Sequence, residues 1–346
     1  MKAFVINKVC DLQANPEPLE LVELPVPVPG VNDILIRISC CGVCHTELDE
    51  IEGRTPPSSY PMIPGHQVIG IVELTGANVK RLKKGDRVGV AWIFSACGEC
   101  EYCRKGLENL CEKFMATGRD APGGYAEFMT APEESSYLVP PDFADEEAAP
   151  LLCAGAIGYR SLRLAGLSNG QTLGLTGFGA SGHLVLKMAK HLYPDSRILV
   201  FARSKEEQAF ARKLGANWAG DFSSVLPPPS KANAIIDTTP VWNTVIESLL
   251  HLKQGGRLVI NAIRKESRDL NSLLGLRYED HLWMEKEIKS VANITRRDVT
   301  EFLSLAATIP IKPEVECNPF AQANQALLDL KHRPIRGAKV LKMVDR

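Results

Sequence analysis

The chain lacks a surplus of either charge, a long apolar run and an internal repeat. Lys and Arg total 40 against 41 Asp and Glu in 346 residues. With no basic face or tail, nucleic acid is not an expected partner. No apolar stretch approaches the ~18 residues that a membrane span needs, so no membrane role is expected. The first six residues, Met1-Lys-Ala-Phe-Val-Ile, read as a β-strand rather than a targeting segment, and the expected location is cytoplasmic. The ten cysteines do not suggest a disulfide scaffold. Their clustering in a chain of this length fits metal binding in a reducing compartment better.

What is present is enough for two domains of ~100–200 residues each. Up to about residue 150 the chain is rich in Pro, Gly and short β-type runs: Ile34–Ile38, Val68–Val72 and Arg87–Ala91. Turn signals such as Pro29-Gly30 and Lys84-Gly85-Asp86 separate them, as in a Greek-key or barrel-like β domain. From about 150 the pattern changes. Apolar runs at Thr172–Leu175, Ile198–Phe201, Ala234–Ile236 and Leu258–Ile260 alternate with helical stretches at Gly182–Leu192 and Lys205–Leu214. That alternation predicts βαβ units and a parallel sheet. The last fifty or so residues carry a helix-like Ala321–Leu330 and a strand-like Lys339–Val344, expected to return to the first domain. Leu226–Ser230, with three consecutive prolines, reads as a loop insert.

Four cysteines carry the most specific local signal. Cys97, Cys100 and Cys103 stand at two successive C-x-x-C steps, and Cys111 follows after seven residues. Four thiolates on one short loop suit tetrahedral zinc in a closed, structural site.

Gly177-Phe-Gly179-Ala180-Ser-Gly182 follows one apolar run and opens a helical stretch. In that context G-x-G-x-x-G is a dinucleotide fingerprint. The glycines allow a tight turn and close approach to the pyrophosphate, which the helix N-terminus then receives. The second strand of such a unit usually ends on an acidic residue that accepts from the ribose 2′-hydroxyl. Here Ala202 stands in that place, followed by Arg203, Ser204 and Lys205. Two readings stay open: a solvated loop charge, or a pocket for the 2′-phosphate of NADP in preference to NAD.

Gly42-Val-Cys44-His45-Thr46, Gly65-His66, Gly85-Asp86-Arg-Val88, the four-cysteine lobe, the segment 149–155 around Cys153 and the glycine fingerprint occur in that order. In this the chain resembles the zinc-containing alcohol dehydrogenases of the medium-chain dehydrogenase/reductase superfamily, over nearly its whole length. The resemblance implies an α/β protein with a GroES-like β domain (1–150, structural-zinc lobe at about 93–113). It also implies a Rossmann domain with a doubly wound parallel sheet (151–290), a C-terminal return (291–346) and an active site between the two domains. It implies a second, catalytic zinc on Cys44, His66 and Cys153 with an open fourth position, so two zinc ions per chain. Zinc in such a site lowers the pKa of an alcohol oxygen, which favours hydride release to NADP or NAD. Thr46 would contact the substrate oxygen and begin a proton relay, Glu47 would orient His66, and His45 would lie near the pyrophosphate. The expected substrates are small or medium alcohols and aldehydes, or ketones, and the expected assembly is a homodimer or homotetramer.

Some positions depart from the family pattern. Asp49 replaces the usual relay histidine, Gln67 the usual Glu, and Ala338 a pyrophosphate-binding Arg for which Arg336 or Lys339 is a candidate substitute. Zinc-free quinone or enoyl reductases lack both cysteine sets. Polyol dehydrogenases often carry Glu near the position of Cys153. A binding protein without turnover would not need Thr46.

Overall fold

The β-branched runs of the N-terminal region form strands in the computed structural model, which describes residues 1–225, 231–309, 311–333 and 337–343. The expected loop at 226–230 and Arg336 lie outside these residues. The chain divides into two compact units, Met1–Ala156 with Ile294–Arg346, and Ile157–Asn293.

The first unit is built on a seven-stranded sheet. Its long strand Asp33–Val43 pairs antiparallel with Val68–Thr75 and with Phe128–Pro132. Val68–Thr75 in turn pairs with Arg87–Val90, and that strand with Ser136–Leu138. Ile34, Ile36 and Ile38 recur at the strand period of two, so they share a face. They are buried in one core with Val68, Val72 and Val88. The C-terminal segment joins the same unit. Strand Ala338–Lys342 pairs antiparallel with Asp33–Val43, and Val315–Pro319 pairs parallel with Ala338–Lys342. Helix Ala323–His332 adds Ala326 and Leu327 to that core, and Phe320 meets Phe4 edge-on at 5.1 Å.

The second unit is a six-stranded sheet, all parallel. Numbered along the chain, its strands are Thr172–Thr176, Arg197–Phe201, Trp218–Gly220, Ala232–Asp237, Leu252–Ile260 and Glu287–Ser290. Their spatial order is 3-2-1-4-5-6, the doubly wound Rossmann arrangement with its switch point between the first and fourth strands. Helix Lys205–Lys213 shows why the helices stop where they do. The Ser204 hydroxyl accepts from Glu207 N at 3.2 Å, acids fill the first turn and bases the last. Gly215, at φ +96°, then ends it. Among the described residues, no helix is long and apolar enough to cross a membrane.

Candidate active site and metal centres

Antiparallel register brings the distant ligands together. Cys41 lies opposite Val68, so Cys44, just past one strand, and His66, just before the other, leave the sheet at the same end. Cys153 follows Leu152, whose side chain packs so closely on Gly89 that a Cβ there would meet it at 2.8 Å. Strand Arg87–Val90 pairs with Val68–Thr75, so Cys153 reaches the same end. The ligand atoms of Cys44, His66 and Cys153 all lie within 4.8 Å of one another.

Zinc–sulfur bonds of ~2.3 Å in a tetrahedron require sulfurs roughly 3.8 Å apart. The Cys44 and Cys153 sulfurs are 4.0 Å apart. His66 is 1% exposed, and its Nε2 has no hydrogen-bond partner. Its other ring nitrogen, Nδ1, is 2.7 Å from Glu47 Oε1, while Glu47 Oε2 accepts from Cys44 N at 2.7 Å. A carboxylate on Nδ1 fixes the tautomer and leaves Nε2 free for a metal. Gly65 holds this histidine's entry: its φ is +100°, and a Cβ would meet the Tyr125 ring at 2.4 Å.

The electrostatics agree with a donor set built for a cation. The Cys44 thiol is held well below its usual range, first by the hydrogen bond with Cys153 and then by His66, against the effect of burial. Cys153 is pushed well above its usual value by that same bond and by burial. Burial opposes a charge on His66, but Glu47 and Cys44 outweigh it and raise its pKa. Burial raises Glu47.

The second donor set sits on a lobe closed at its base by antiparallel strands Ile93–Ser95 and Met115–Ala116. Sγ of Cys97, Cys100, Cys103 and Cys111 lie within 4.8 Å of one another, with Cys97 and Cys103 at 3.9 Å. Backbone amides turn inward: Cys100 N donates to Cys97 Sγ at 3.4 Å, Cys103 N to Cys100 Sγ and Cys97 N to Cys111 Sγ at 3.5 Å. Hydrogen bonds from Glu99 and Cys100 amides lower Cys97 to about 6, whereas burial and the other thiols push Cys103 up to about 12.

In the parallel-sheet unit, Gly177 follows strand Thr172–Thr176 at φ +76°. A Cβ on Gly182 would meet Gly177 O at 2.8 Å, so helix and turn pack closely, whereas one on Gly179 would meet nothing within 4 Å. The open side at Gly179 is where an anion can approach the N-terminus of helix Ala180–Leu192.

Known proteins agree with this construction. Residues 30–141 match the model of the alcohol dehydrogenase GroES-like domain. The probable alcohol dehydrogenase AdhA of Mycobacterium tuberculosis is 41% identical over 94% of this chain and 92% of its own length. An alcohol dehydrogenase of Geobacillus stearothermophilus is 32% identical over 100% of both chains. The solved structure of AibC, 26% identical, superposes with a TM-score of 0.87 over 100% of this chain and 96% of its own. The chain belongs to the zinc-containing alcohol dehydrogenases of the medium-chain dehydrogenase/reductase superfamily. As a member it is an oxidoreductase acting between alcohols and aldehydes or ketones.

The other expected residues of this alcohol dehydrogenase fall as follows. Helix His45–Ile51 carries an exposed His45 and a buried Thr46, whose Oγ1 is 3.6 Å from Cys44 Sγ. Asp49, on the same helix, is 2% exposed and its Oδ1 accepts from Arg54 Nε at 2.5 Å. Gln67 packs on Gly42, where a Cβ would meet its Oε1 at 2.6 Å. Just past strand Arg197–Phe201, Ala202 is buried and its carbonyl accepts from Gln208 Nε2 at 2.8 Å. Ser204 is engaged as the helix cap, and its hydroxyl also donates to Glu206 Oε2 at 2.7 Å. Lys205 Nζ is 3.5 Å from Gln208 Oε1, and Arg203 stands exposed.

Lys339 does not stand in for the missing pyrophosphate arginine. It is 2% exposed and its ammonium is taken by Glu316 at 2.5 Å and Asp329 at 3.4 Å. A buried lysine needs such partners, and the two carboxylates already neutralise its charge away from solvent.

Two features were not anticipated from sequence. Glu50, three residues after Glu47 on one helix face, is fully buried with both carboxyl oxygens unpartnered. Asp237, at the end of the fourth strand, is fully buried and paired with Lys265. An acidic residue closing the apolar run Ala234–Ile236 is the signal that could have exposed it.

Proposed function

We propose that the chain is a two-zinc, NADP-preferring alcohol dehydrogenase with its catalytic zinc on Cys44, His66 and Cys153. The observation that carries this is the buried, unpartnered Nε2 of His66 beside two sulfurs at zinc-compatible spacing. Zinc bound there supplies a Lewis acid to the alcohol or carbonyl oxygen. The protein's own residues do the rest. Glu47 holds His66 in its ligating tautomer. Thr46 Oγ1 takes the substrate hydroxyl proton onward, and the buried Asp49, paired with Arg54 and three residues further along the same helix, receives it. Cys97, Cys100, Cys103 and Cys111 hold the second zinc, which ties the lobe together.

The unit Ile157–Asn293 serves as the dinucleotide domain, and the N- and C-terminal segments together as the catalytic one. Gly177, Gly179, Ala180 and Gly182 seat the pyrophosphate with His45 near it. Arg203 receives the 2′-phosphate, with Lys205 close by; Ser204 only shapes the loop by capping the helix. The planar fork of Arg suits phosphate, and one charge-assisted contact is worth ~1.5–3 kcal/mol, or about 10–100-fold in selectivity. A homo-oligomer fits the exposed edge strand Glu287–Ser290, where Ile288 is 46% exposed, and the exposed Leu274 and Trp283 of the same unit, 87% and 55% exposed. Ten unpaired cysteines fit a reducing compartment such as the cytoplasm.

The test is kcat/KM with NADP and NAD across an alcohol panel, for the wild type and for Ala202→Asp combined with Arg203→Ile. The wild type should favour NADP and the double variant should move the ratio toward NAD by about tenfold or more. A wild type that favours NAD, or an unmoved ratio, refutes the cofactor assignment. Absence of turnover with every alcohol refutes the enzyme reading of the site.

A further inference from the structure

The carboxyl edge of the parallel sheet presents a buried polar group, Asn261, that the reading above leaves unused. Its register aligns Thr176 with Asp237 and Asp237 with Ile260 on adjacent strands. The next residues, Gly177, Thr238 and Asn261, therefore stand in a row across the carboxyl edge. With strands ~4.8 Å apart, Asn261 lies about 10 Å from Gly177. A dinucleotide crosses this edge at the switch point, with its pyrophosphate over the glycine turn. The step from the first strand through the fourth to the fifth leads toward the second mononucleotide half, the one that carries nicotinamide.

Asn261 is firmly held there. Its backbone N donates to Asp237 O at 2.7 Å. The Asp237 carboxylate accepts from Thr176 Oγ1 at 2.5 Å, Thr239 Oγ1 at 2.8 Å and Thr239 N at 3.1 Å, and pairs with Lys265. Lys265 Nζ also donates to Thr239 O at 2.9 Å and Val241 O at 3.0 Å. This buried network joins the loops that follow the fourth and fifth strands and fixes the backbone on which Asn261 stands. Asn261 is 7% exposed, yet its Nδ2 has no hydrogen-bond partner. Buried donors without partners are rare, and one at a ligand edge is a donor awaiting a ligand.

We propose that the Asn261 side-chain amide positions the cofactor by donating to an oxygen of its nicotinamide half, a ribose hydroxyl or the carboxamide oxygen. The proposal rests on the reading of Ile157–Asn293 as a dinucleotide domain. The experiment compares the zinc-replete full-length protein with Asn261→Ala and Asn261→Ser. Dissociation constants are measured for the reduced dinucleotide, for ADP-ribose and for ADP, the last two with and without a 2′-phosphate. Asn261→Ala should weaken the dinucleotide about 3–10-fold, the range of one hydrogen bond, and leave ADP unchanged. Asn261→Ser, which keeps a short donor, should recover part of the loss. A parallel loss on ADP-ribose assigns the ribose hydroxyl, and retention assigns the carboxamide. An equal loss on ADP, or none on the dinucleotide, overturns the proposal while the domain reading stands. A wild type that binds none of these ligands removes both.

Discussion

Replacing Glu47 by Gln tests the catalytic metal shell at a residue that does not itself touch the metal. Glu47 is fully buried and has two acceptor tasks, His66 Nδ1 and Cys44 N, each at 2.7 Å. Gln keeps the volume but has one acceptor oxygen. If it turns that oxygen to His66, its amide faces the Cys44 N–H, donor against donor. The opposite rotamer loses the histidine. Either way one ligand loses its orientation. Loss of such a supporting partner typically costs 10–100-fold in metal affinity, which corresponds to about 1.4–2.8 kcal/mol. The assay is zinc release from fully loaded protein against a graded chelator series. One of two equivalents should leave the variant at 10–100-fold weaker chelation than in the wild type, and the other at the wild-type level. Release curves that match the wild type would show that Glu47 does not support the metal. An equal shift of both equivalents would point to general destabilisation instead, and would refute the reasoning just as firmly.

Three further outcomes are expected. Cys103→Ser should remove one zinc equivalent and lower the melting temperature while the catalytic equivalent stays bound, because a closed site contributes folding energy; zinc analysis after a melt decides. Thr46→Ala should lower kcat by ~10²–10⁴-fold with little change in cofactor Kd, and a loss below about fivefold would place the proton path elsewhere. Glu50→Gln should stabilise the protein increasingly as pH rises above ~4.3, the unfolded value for Glu. Burial first, and Glu47 next, hold the folded carboxyl well above its usual range. Between the two values the unfolded chain binds fewer protons than the folded one, so wild-type stability falls with pH and Gln escapes that loss. A melting-temperature gain that does not grow from pH 5 to pH 8 counts against it.

The parts of this molecule that sequence displays well are those whose spacing is local. Cys97, Cys100, Cys103 and Cys111 lie within one loop, and a tetrahedron can be recognised from their intervals alone. The glycine turn likewise declares itself by the apolar strand before it and the helix after it. Cys44, His66 and Cys153 have no such interval. They meet because Cys41 pairs with Val68 and Leu152 seats on Gly89, and only the resemblance to a family made them visible beforehand. Burial of charge was less legible still. Lys339 looked like a possible phosphate ligand, yet Glu316 and Asp329 hold it inside. Lys265 and Asp237 are paired across 28 residues, and no periodicity links them.

Helix His45–Ile51 concentrates acidic groups beside the candidate metal ligands. Seven residues bury three acids, Glu47, Asp49 and Glu50. Each is made tolerable differently. Asp49 has the Arg54 guanidinium, and Glu47 has the His66 ring and the Cys44 amide. Glu50 has neither and is left to its proton. Two thiols then stand at the helix entrance, and the first ionises only at the second's expense, since the bond that lowers Cys44 raises Cys153. A dication changes the balance, because two thiolates and a neutral imidazole sum with it to zero. Held on Cys44, Cys153 and His66 Nε2, it would favour the thiolate form of both cysteines. The acids on the helix and the thiols at its mouth therefore gather potential negative charge that a cation on Cys44, His66 and Cys153 would balance.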